Sequence, residues 1–161
     1  NEMIHVEKTM KHIIFSFDNI IFFSRLTEGP YLAYERQIRE ESKIKVKVSK
    51  QDLIESVERV SLFVDEKNKT PIQCTFTSNM LNIFCFNELG RVNESVIVEK
   101  DGPDLEIWFN YKFILEALRA CCEDEIVLEL NSEIHAVQIQ NSKENEKRFL
   151  HLILPMKIKR E

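Results

Sequence analysis

The sequence predicts an α+β fold of repeated units, in which one strand leads into a helix and three further strands follow. Two observations predict it. Between residues 44 and 156, apolar residues change from alternate spacing to helical spacing and back twice. Before residue 44, only the three-strand end of such a unit occurs. We expect antiparallel sheets with the helices on one face, because units of this kind bury their apolar faces against a neighbouring unit.

The first part of the chain contains short runs of β-forming residues and no helical pattern. The predicted strands cover residues 3–7, 12–17 and 20–26. Asp18 and Asn19 suit a tight turn between the second and third of them. Gly29 and Pro30 interrupt the pattern, after which residues 34–38 are predicted to be extended again. Residues 39–43 are entirely polar and are predicted to form a linker.

The first complete unit begins at Ile44. Residues 44–48 alternate apolar side chains with lysine, which predicts an edge strand with one solvated face. Ser49 is the predicted N-cap of a helix, with Asp52 three positions on. The apolar stripe of that helix consists of Leu53, Ile54, Val57, Val60 and Val64. Three strands are predicted after it, at residues 72–77, 80–86 and 92–100, with a hairpin turn at residues 78–79.

The second complete unit repeats this order. Residues 105–109 are a predicted strand, and Asn110 is the predicted N-cap of a helix over residues 111–121. Its apolar stripe consists of Phe113, Ile114, Ala117, Leu118 and Cys121. The predicted strands after it cover residues 126–130, 134–140 and 148–156. The charged residues 142–147 are predicted to form a solvated hairpin loop.

The composition is typical of a water-soluble globular protein. Of 161 residues, 43% are hydrophobic and 30% are charged, and the net charge is −5. No apolar run approaches the roughly 20 residues that a membrane span requires, so we expect a cytoplasmic protein without a membrane partner. Because the net charge is negative, any contact with nucleic acid must come from a local basic surface.

The sequence contains little that suggests catalysis or a cofactor. It has no Cys-x-x-Cys pair and no histidine at metal-ligand spacing, so we expect free thiols, no metal and no cofactor. The four thiols are Cys74, Cys85, Cys121 and Cys122. With three glycines, the chain has no glycine-rich phosphate loop, and it has no nucleophile motif. His135 and His151 are interpreted as a cross-strand surface pair. We therefore do not expect an enzyme.

Five stretches of the sequence form a pattern that occurs together in one known family. They are residues 23–29 with Tyr31 and Tyr34, residues 58–60, residues 89–90 with Glu94, residues 107–110 leading into the helix to Leu118, and residues 152–156. In their order and spacing they resemble the β subunit of bacterial DNA polymerase III, the replicative sliding clamp, from the middle of its second domain to its C terminus. The chain departs from the pattern at Leu32, where a proline is usual, and in its longer tail after Met156.

The resemblance implies a ring of two head-to-tail protomers with three similar domains each, whose helices surround double-stranded DNA. Such a clamp is not catalytic. It binds DNA non-specifically and tethers DNA polymerase and clamp-loader subunits that carry short linear motifs. Residues 1–43 then correspond to the second half of the middle domain plus a linker, and residues 44–161 to a complete C-terminal domain. Because the head-to-tail contact requires a first domain, we expect these 161 residues alone not to close the homodimeric ring.

The resemblance also implies a peptide-binding cleft, where apolar anchors enter and polar groups fix the peptide backbone. The matching residues are Leu32, Arg36, Gln37, Asn110, Phe113, Ile134, Ala136, Leu152, Ile153, Leu154, Pro155 and Met156. Core packing is the competing interpretation for Phe113, Ile134 and Leu152, because each belongs to a periodic apolar pattern. A flexible methionine at position 156 suits a surface that accepts several partners. Part of the cleft in the family pattern precedes residue 1, so we expect a lower peptide affinity than in an intact clamp.

Three basic residues are candidates for contact with DNA. Helical steps of about 100° place Lys112 and Arg119 opposite the apolar stripe of the second helix, and Arg59 outward on the first. Their contacts would be few, non-specific and sensitive to salt. Acidic neighbours such as Glu58 make an ordinary solvated helix face the competing interpretation. Two alternatives to the clamp therefore stay open: a clamp-like peptide-binding adaptor that does not encircle DNA, and a divergent paralogue of the clamp.

Overall fold

The computed structural model describes residues 3–31, 33–38, 41–65, 70–88, 90–141 and 149–158. The chain divides into two compact units, Asn1–Ala33 and Tyr34–Glu161. This division falls before the predicted boundary between residues 43 and 44. The predicted hairpin loop at residues 142–147 lies outside the described residues.

The first unit is a three-stranded antiparallel sheet in the order β1-β2-β3. Its strands are β1 His5–Lys8, β2 His12–Phe17 and β3 Ile20–Arg25. The predicted strands are confirmed, and β2 has the predicted bounds. Asp18 has a φ of 47° in the turn to β3, a conformation that aspartate adopts more readily than most residues because its short polar side chain can hydrogen-bond locally.

The second unit opens on a 3₁₀ helix, Tyr34–Gln37, where the sequence predicted extended structure for residues 34–38. That prediction was wrong. Ile38 donates its backbone N–H to the carbonyl of Glu35 at 3.2 Å, which closes the chain into a turn. This local hydrogen bond outweighs the β preference of the aromatic and apolar residues around it.

The rest of the second unit contains both predicted repeats. The first comprises β4 Ile44–Ser49, α1 Lys50–Ser61, β5 Ile72–Phe76, β6 Met80–Asn87 and β7 Gly90–Ile97. The second comprises β9 Leu105–Phe109, α2 Tyr111–Ala120, β10 Glu125–Leu130, β11 Val137–Asn141 and β12 Leu150–Ile153, and the short β8 Glu99–Asp101 lies between the repeats. The predicted α+β fold of strand, helix and three strands is therefore confirmed.

The two repeats exchange their first strands. One sheet has the order β7-β6-β5-β9 and the other β12-β11-β10-β4-β8, so each three-strand group takes its next strand from the other repeat. Ile72 of β5 is paired with Phe109 of β9, and Ile126 of β10 with Val48 of β4. Strand β4 is therefore interior, and the prediction of an edge strand was wrong. Its lysines do lie on a solvated face, where Lys47 pairs with Glu125 at 2.5 Å.

The predicted strand at residues 92–100 is two strands in different sheets. Val98 lies between β7 and β8 and donates its N–H to the Asn79 carbonyl at 3.0 Å, which turns the chain from the four-stranded sheet into the five-stranded one. The strand predicted at residues 134–140 begins only at Val137, because a turn precedes it. In that turn, His135 donates its N–H to the Ser132 carbonyl at 3.3 Å.

The core lies between the helices and the two sheets. Helix α1 packs on β4, β6 and β7, and α2 packs on α1 and β12. Leu53, Val57 and Val60 of the predicted α1 stripe are buried. In α2, Leu115 is buried and Phe113 is 56% exposed, so the prediction that Phe113 belongs to the core stripe was wrong. Ile114, Ala117 and Leu118 of the predicted stripe are buried, so the buried face of α2 includes Leu115 in place of Phe113.

The thiols and histidines occupy ordinary structural positions. Cys74, Cys85 and Cys121 are buried, whereas Cys122 is exposed. Burial raises the pKa of Cys74 to about 12. The β11–β12 register pairs His151 with Ile139, while His135 lies in the preceding turn, so the predicted pair of His135 with His151 was wrong. In the described part of the chain, no helix has the length and apolarity needed to span a membrane.

Candidate peptide-binding site

The first turn of α2 presents one large apolar side chain to solvent. Asn110 caps the helix, since its Oδ1 accepts the Lys112 N–H at 3.0 Å. This contact satisfies one of the free backbone donors at the helix start, as the sequence predicted. Phe113 follows within that turn and is 56% exposed. A helix start fixed by its cap therefore holds an exposed phenyl ring.

The turn between β10 and β11 presents a second apolar side chain. Ile134 is 62% exposed, whereas Ala136, two residues on, is buried. The Ser132 Oγ lies 2.6 Å from the Nδ1 of His135 and accepts the Ile134 N–H at 3.5 Å. The exposed isoleucine therefore belongs to a turn with its own hydrogen bonds.

The segment after β12 presents the third exposed apolar side chain, that of Leu154. Ile153 is buried, Leu154 is 61% exposed, and Pro155 and Met156 are half-buried. Met156 donates its N–H to the Trp108 carbonyl at 2.7 Å, which ties this segment to the end of β9. The chain thus returns from the five-stranded sheet to the four-stranded one at Met156.

These three elements meet inside the second unit. Ile114, Val137 and Ile153 line one interior apolar cavity of about 30 Å³, so the first turn of α2 packs against β11 and β12. Val137 and Ile153 are also cross-strand partners, which brings the start of β11 beside the end of β12. The exposed apolar residues therefore lie on elements whose buried residues line the same cavity.

The remaining predicted cleft residues differ in their burial and in the element on which they lie. Leu152 is half-buried and is paired with Gln138. Arg36 and Gln37 lie on the exposed 3₁₀ helix at the start of the same unit. Leu32 lies outside the described residues. The assignment of all twelve residues to a peptide site stays a prediction.

The candidate DNA-facing cations are exposed, and two of them face carboxylates. Arg59 Nη2 lies 2.8 Å from the Glu94 carboxylate, and this hydrogen bond raises the pKa of Arg59. Arg119 Nη2 lies 2.7 Å from the Glu58 carboxylate. Lys112 Nζ lies 5.9 Å from the centroid of the Tyr111 ring. The sequence placed Glu58 near these residues but did not predict the ion pairs.

Two features of the site were missed from the sequence. Trp108 contributes a backbone carbonyl, which no side-chain pattern reveals. Ser132 and His135 contribute a hydrogen bond across one turn. Their spacing of three residues was the signal that could have found it, because serine often bonds to a residue two or three positions away in a turn.

The chain is similar in sequence to known sliding clamps. Residues 35–157 match the family described as DNA polymerase III beta subunit, C-terminal domain. The beta sliding clamp of Bacillus subtilis is 25% identical over 159 residues, which is 97% of this chain and 42% of that protein. The beta sliding clamp of Staphylococcus epidermidis is 30% identical over 131 residues, or 80% of this chain and 35% of that protein. The chain thus spans about two fifths of the length of these relatives.

Solved structures show the same architecture. A DNA polymerase III beta subunit from Eubacterium rectale superposes with a TM-score of 0.79 at 33% identity, over 95% of this chain and 41% of that one. The Bartonella birtlesii sliding clamp bound to griselimycin gives a TM-score of 0.80 at 24% identity, over 96% and 41%. The resemblance seen in the sequence is therefore confirmed, and the chain belongs to the DNA polymerase III beta subunit family of sliding clamps, with residues 35–157 matching its C-terminal domain.

Proposed function

We propose that this chain acts as the C-terminal part of a sliding clamp, which tethers a DNA polymerase and other replication factors to double-stranded DNA. The observation that supports it most directly is the exposure of Phe113, Ile134 and Leu154 on three elements that pack together. Large apolar side chains grouped on a protein surface mark a place where a partner binds. In the proposal, residues 1–43 belong to the middle domain and linker, and residues 44–161 form the C-terminal domain.

The chemistry of the site suits a short linear peptide. Apolar side chains of the peptide would bury against Phe113, Ile134 and Leu154, while the half-buried Asn110 offers polar atoms to the peptide backbone. Met156 can adjust its side chain to different anchors, which suits a surface shared by several partners. In this role the protein is not an enzyme and requires no metal or cofactor, because its effect comes from tethering.

The helices are the proposed DNA-facing surface. Arg59, Lys112 and Arg119 would meet phosphate groups without reading sequence. Arg59 and Arg119 already neutralise Glu94 and Glu58, so each would have to leave a carboxylate before it binds a phosphate. We therefore propose weak DNA contacts, and retention on DNA through closure of a homodimeric ring in the full-length protein.

The peptide site is tested by fluorescence anisotropy. The probe is a fluorescein-labelled peptide with the clamp-binding motif of the host polymerase, and griselimycin, which is bound in the Bartonella birtlesii clamp, is the competitor. We expect Phe113→Ala and Met156→Ala each to weaken binding by roughly tenfold or more. The matched control is Phe86→Ala, because Phe86 is 64% exposed on β6 of the other sheet. Equal loss in all three variants would contradict the proposal.

A clamp-like adaptor that binds peptides without encircling DNA is the second candidate. The ion pairs of Arg59 and Arg119 favour it, since they reduce the positive charge available to DNA. Clamp-loader reactions with the full-length protein and a nicked circular plasmid separate the two candidates. A clamp stays on the closed circle and leaves after the plasmid is linearised, whereas an adaptor is not retained on either form.

A further inference from the structure

The hydroxyl of Ser132 contacts two other residues of its turn. Its Oγ lies 2.6 Å from His135 Nδ1, and it accepts the Ile134 N–H at 3.5 Å. The backbone closes the same turn, because the His135 N–H reaches the Ser132 carbonyl at 3.3 Å. Three hydrogen bonds thus start or end on Ser132.

The residue enclosed by these bonds is Ile134, whose side chain points away from the core. It is 62% exposed, although Ala136 and Val137, two and three residues on, are buried. A β-branched side chain has few χ1 rotamers, so its direction follows from the backbone that carries it. Fixing the backbone of the turn therefore fixes where the Ile134 side chain stands.

We propose that Ser132 and His135 are positioning residues of the peptide-binding site, which hold Ile134 in the direction that a bound peptide requires. The inference rests on the proposed function, because the peptide that binds in that function is the partner that Ile134 contacts. Without the hydrogen bond, the turn samples other conformations, and part of the binding free energy is lost in ordering it.

The chemistry of the bond indicates which substitutions keep it. In the neutral tautomer with its proton on Nε2, Nδ1 accepts from the Ser132 hydroxyl; in the other neutral tautomer, the Nδ1–H donates to Ser132 Oγ. Threonine at position 132 keeps the hydroxyl, and asparagine at position 135 keeps an amide whose oxygen can accept or whose N–H can donate near the place of Nδ1. Alanine at either position removes the bond.

The experiment measures the affinity of the same labelled peptide for these variants. We expect Ser132→Ala and His135→Ala each to weaken binding by roughly fivefold, the effect of one ordinary hydrogen bond. We expect Ser132→Thr and His135→Asn to stay within about twofold of the parent chain. Ser132→Ala also removes the acceptor of the Ile134 N–H, so the variant with both alanines should bind no more weakly than Ser132→Ala alone. Thermal unfolding of each variant shows that the domain is folded at the assay temperature.

An Ile134→Ala background separates positioning from a general loosening of the domain. If the bond acts through Ile134, Ser132→Ala has no further effect on affinity in that background. Ser95→Ala is the matched control, because its hydroxyl donates to Asn82 at 2.7 Å on the other sheet. The inference fails if Ser132→Ala costs as much in the Ile134→Ala background as in the parent chain, or if Ser95→Ala weakens binding equally.

The outcomes also separate this inference from the function on which it rests. One outcome is that the parent chain binds the peptide as proposed and that binding is lost in Phe113→Ala. If Ser132→Ala then binds like the parent, only the positioning role is wrong. If the parent chain does not bind, or if Phe113→Ala and Met156→Ala leave binding unchanged, both proposals are wrong.

Discussion

Arg119 of α2 donates a hydrogen bond to Glu58 of α1 at 2.7 Å, and this contact joins the two helices of the second unit. A second arginine is held in a similar way, since Arg59 of α1 meets Glu94 of β7 at 2.8 Å. Both pairs are partly exposed, so water and salt screen them and a phosphate can compete for each arginine. The basic character of the helix surface thus depends on the carboxylates beside it.

Removing Glu58 should therefore strengthen DNA binding beyond the effect of net charge. We expect Glu58→Gln to bind a short DNA duplex more tightly at low salt, with a salt slope steeper by about one, because Arg119 becomes available to a phosphate. The control is Glu99→Gln, which changes the net charge equally. The Glu99 carboxylate lies 3.9 Å from Lys47 of β4, so its removal does not release Arg119. Indistinguishable salt slopes for the two variants would count against a role of Arg119 at DNA.

The cap of α1 should contribute measurably to stability. Ser49 Oγ accepts the Asp52 N–H at 3.3 Å, and its loss leaves that backbone donor without its side-chain partner. We expect Ser49→Ala to lower the free energy of unfolding in urea by about 1 kcal/mol. Ser95→Ala, which removes an exposed hydroxyl from a strand, should cost less than about 0.5 kcal/mol. A Ser49→Ala variant as stable as Ser95→Ala would show that the cap does not stabilise the helix.

Gly102 occupies a position that only glycine fits. Its φ is 103°, and a Cβ there would overlap the backbone carbonyl oxygen of Lys43. We expect Gly102→Ala to lower the free energy of unfolding by roughly 2–4 kcal/mol, because strain and overlap add. Gly29 separates these causes, since its φ is 99° and a Cβ would meet nothing within 4 Å. Gly29→Ala should cost only roughly 1–2 kcal/mol, from the left-handed conformation alone.

The thiols should differ sharply in reactivity. Burial raises the pKa of Cys74 to about 12 and that of Cys121 to about 11, and it also raises the pKa of Cys85. A raised pKa keeps each thiol protonated at neutral pH, and the protonated form is a poor nucleophile. Iodoacetamide should therefore add one group to the native chain, at the exposed Cys122, and four after unfolding in urea. Cys122→Ser should remain unlabelled while native, and mass spectrometry of the intact chain reads each result.

Local patterns predicted most of the elements, because the signals for them are local. Strand β9 has the predicted bounds, and both helices begin after the predicted caps, Ser49 and Asn110. Alternating or helical spacing of apolar residues identifies one buried face whatever the element packs against. The repeat of strand, helix and three strands could be predicted for the same reason.

The features that were not predicted depend on contacts between distant residues. Strand β4 is interior because it joins β10 of the other repeat, and nothing in residues 44–49 shows that pairing. Phe113 fits a helical stripe as well as Leu115 does, so the sequence alone could not decide which of them faces the core. The resemblance to sliding clamps placed Phe113 at the peptide site, and its exposure supports that proposal over core packing.

The most direct test of the central claim is a titration of the ¹⁵N-labelled chain with the polymerase peptide, followed by amide chemical shifts. The proposal predicts that the largest shifts occur at the amides of Phe113, Ile134, Leu154 and Met156. Leu62 and Phe86 are the internal controls, since both are exposed apolar residues that lie outside the candidate site. Shifts centred on Leu62 and Phe86, with Phe113 and Ile134 unchanged, would contradict the account.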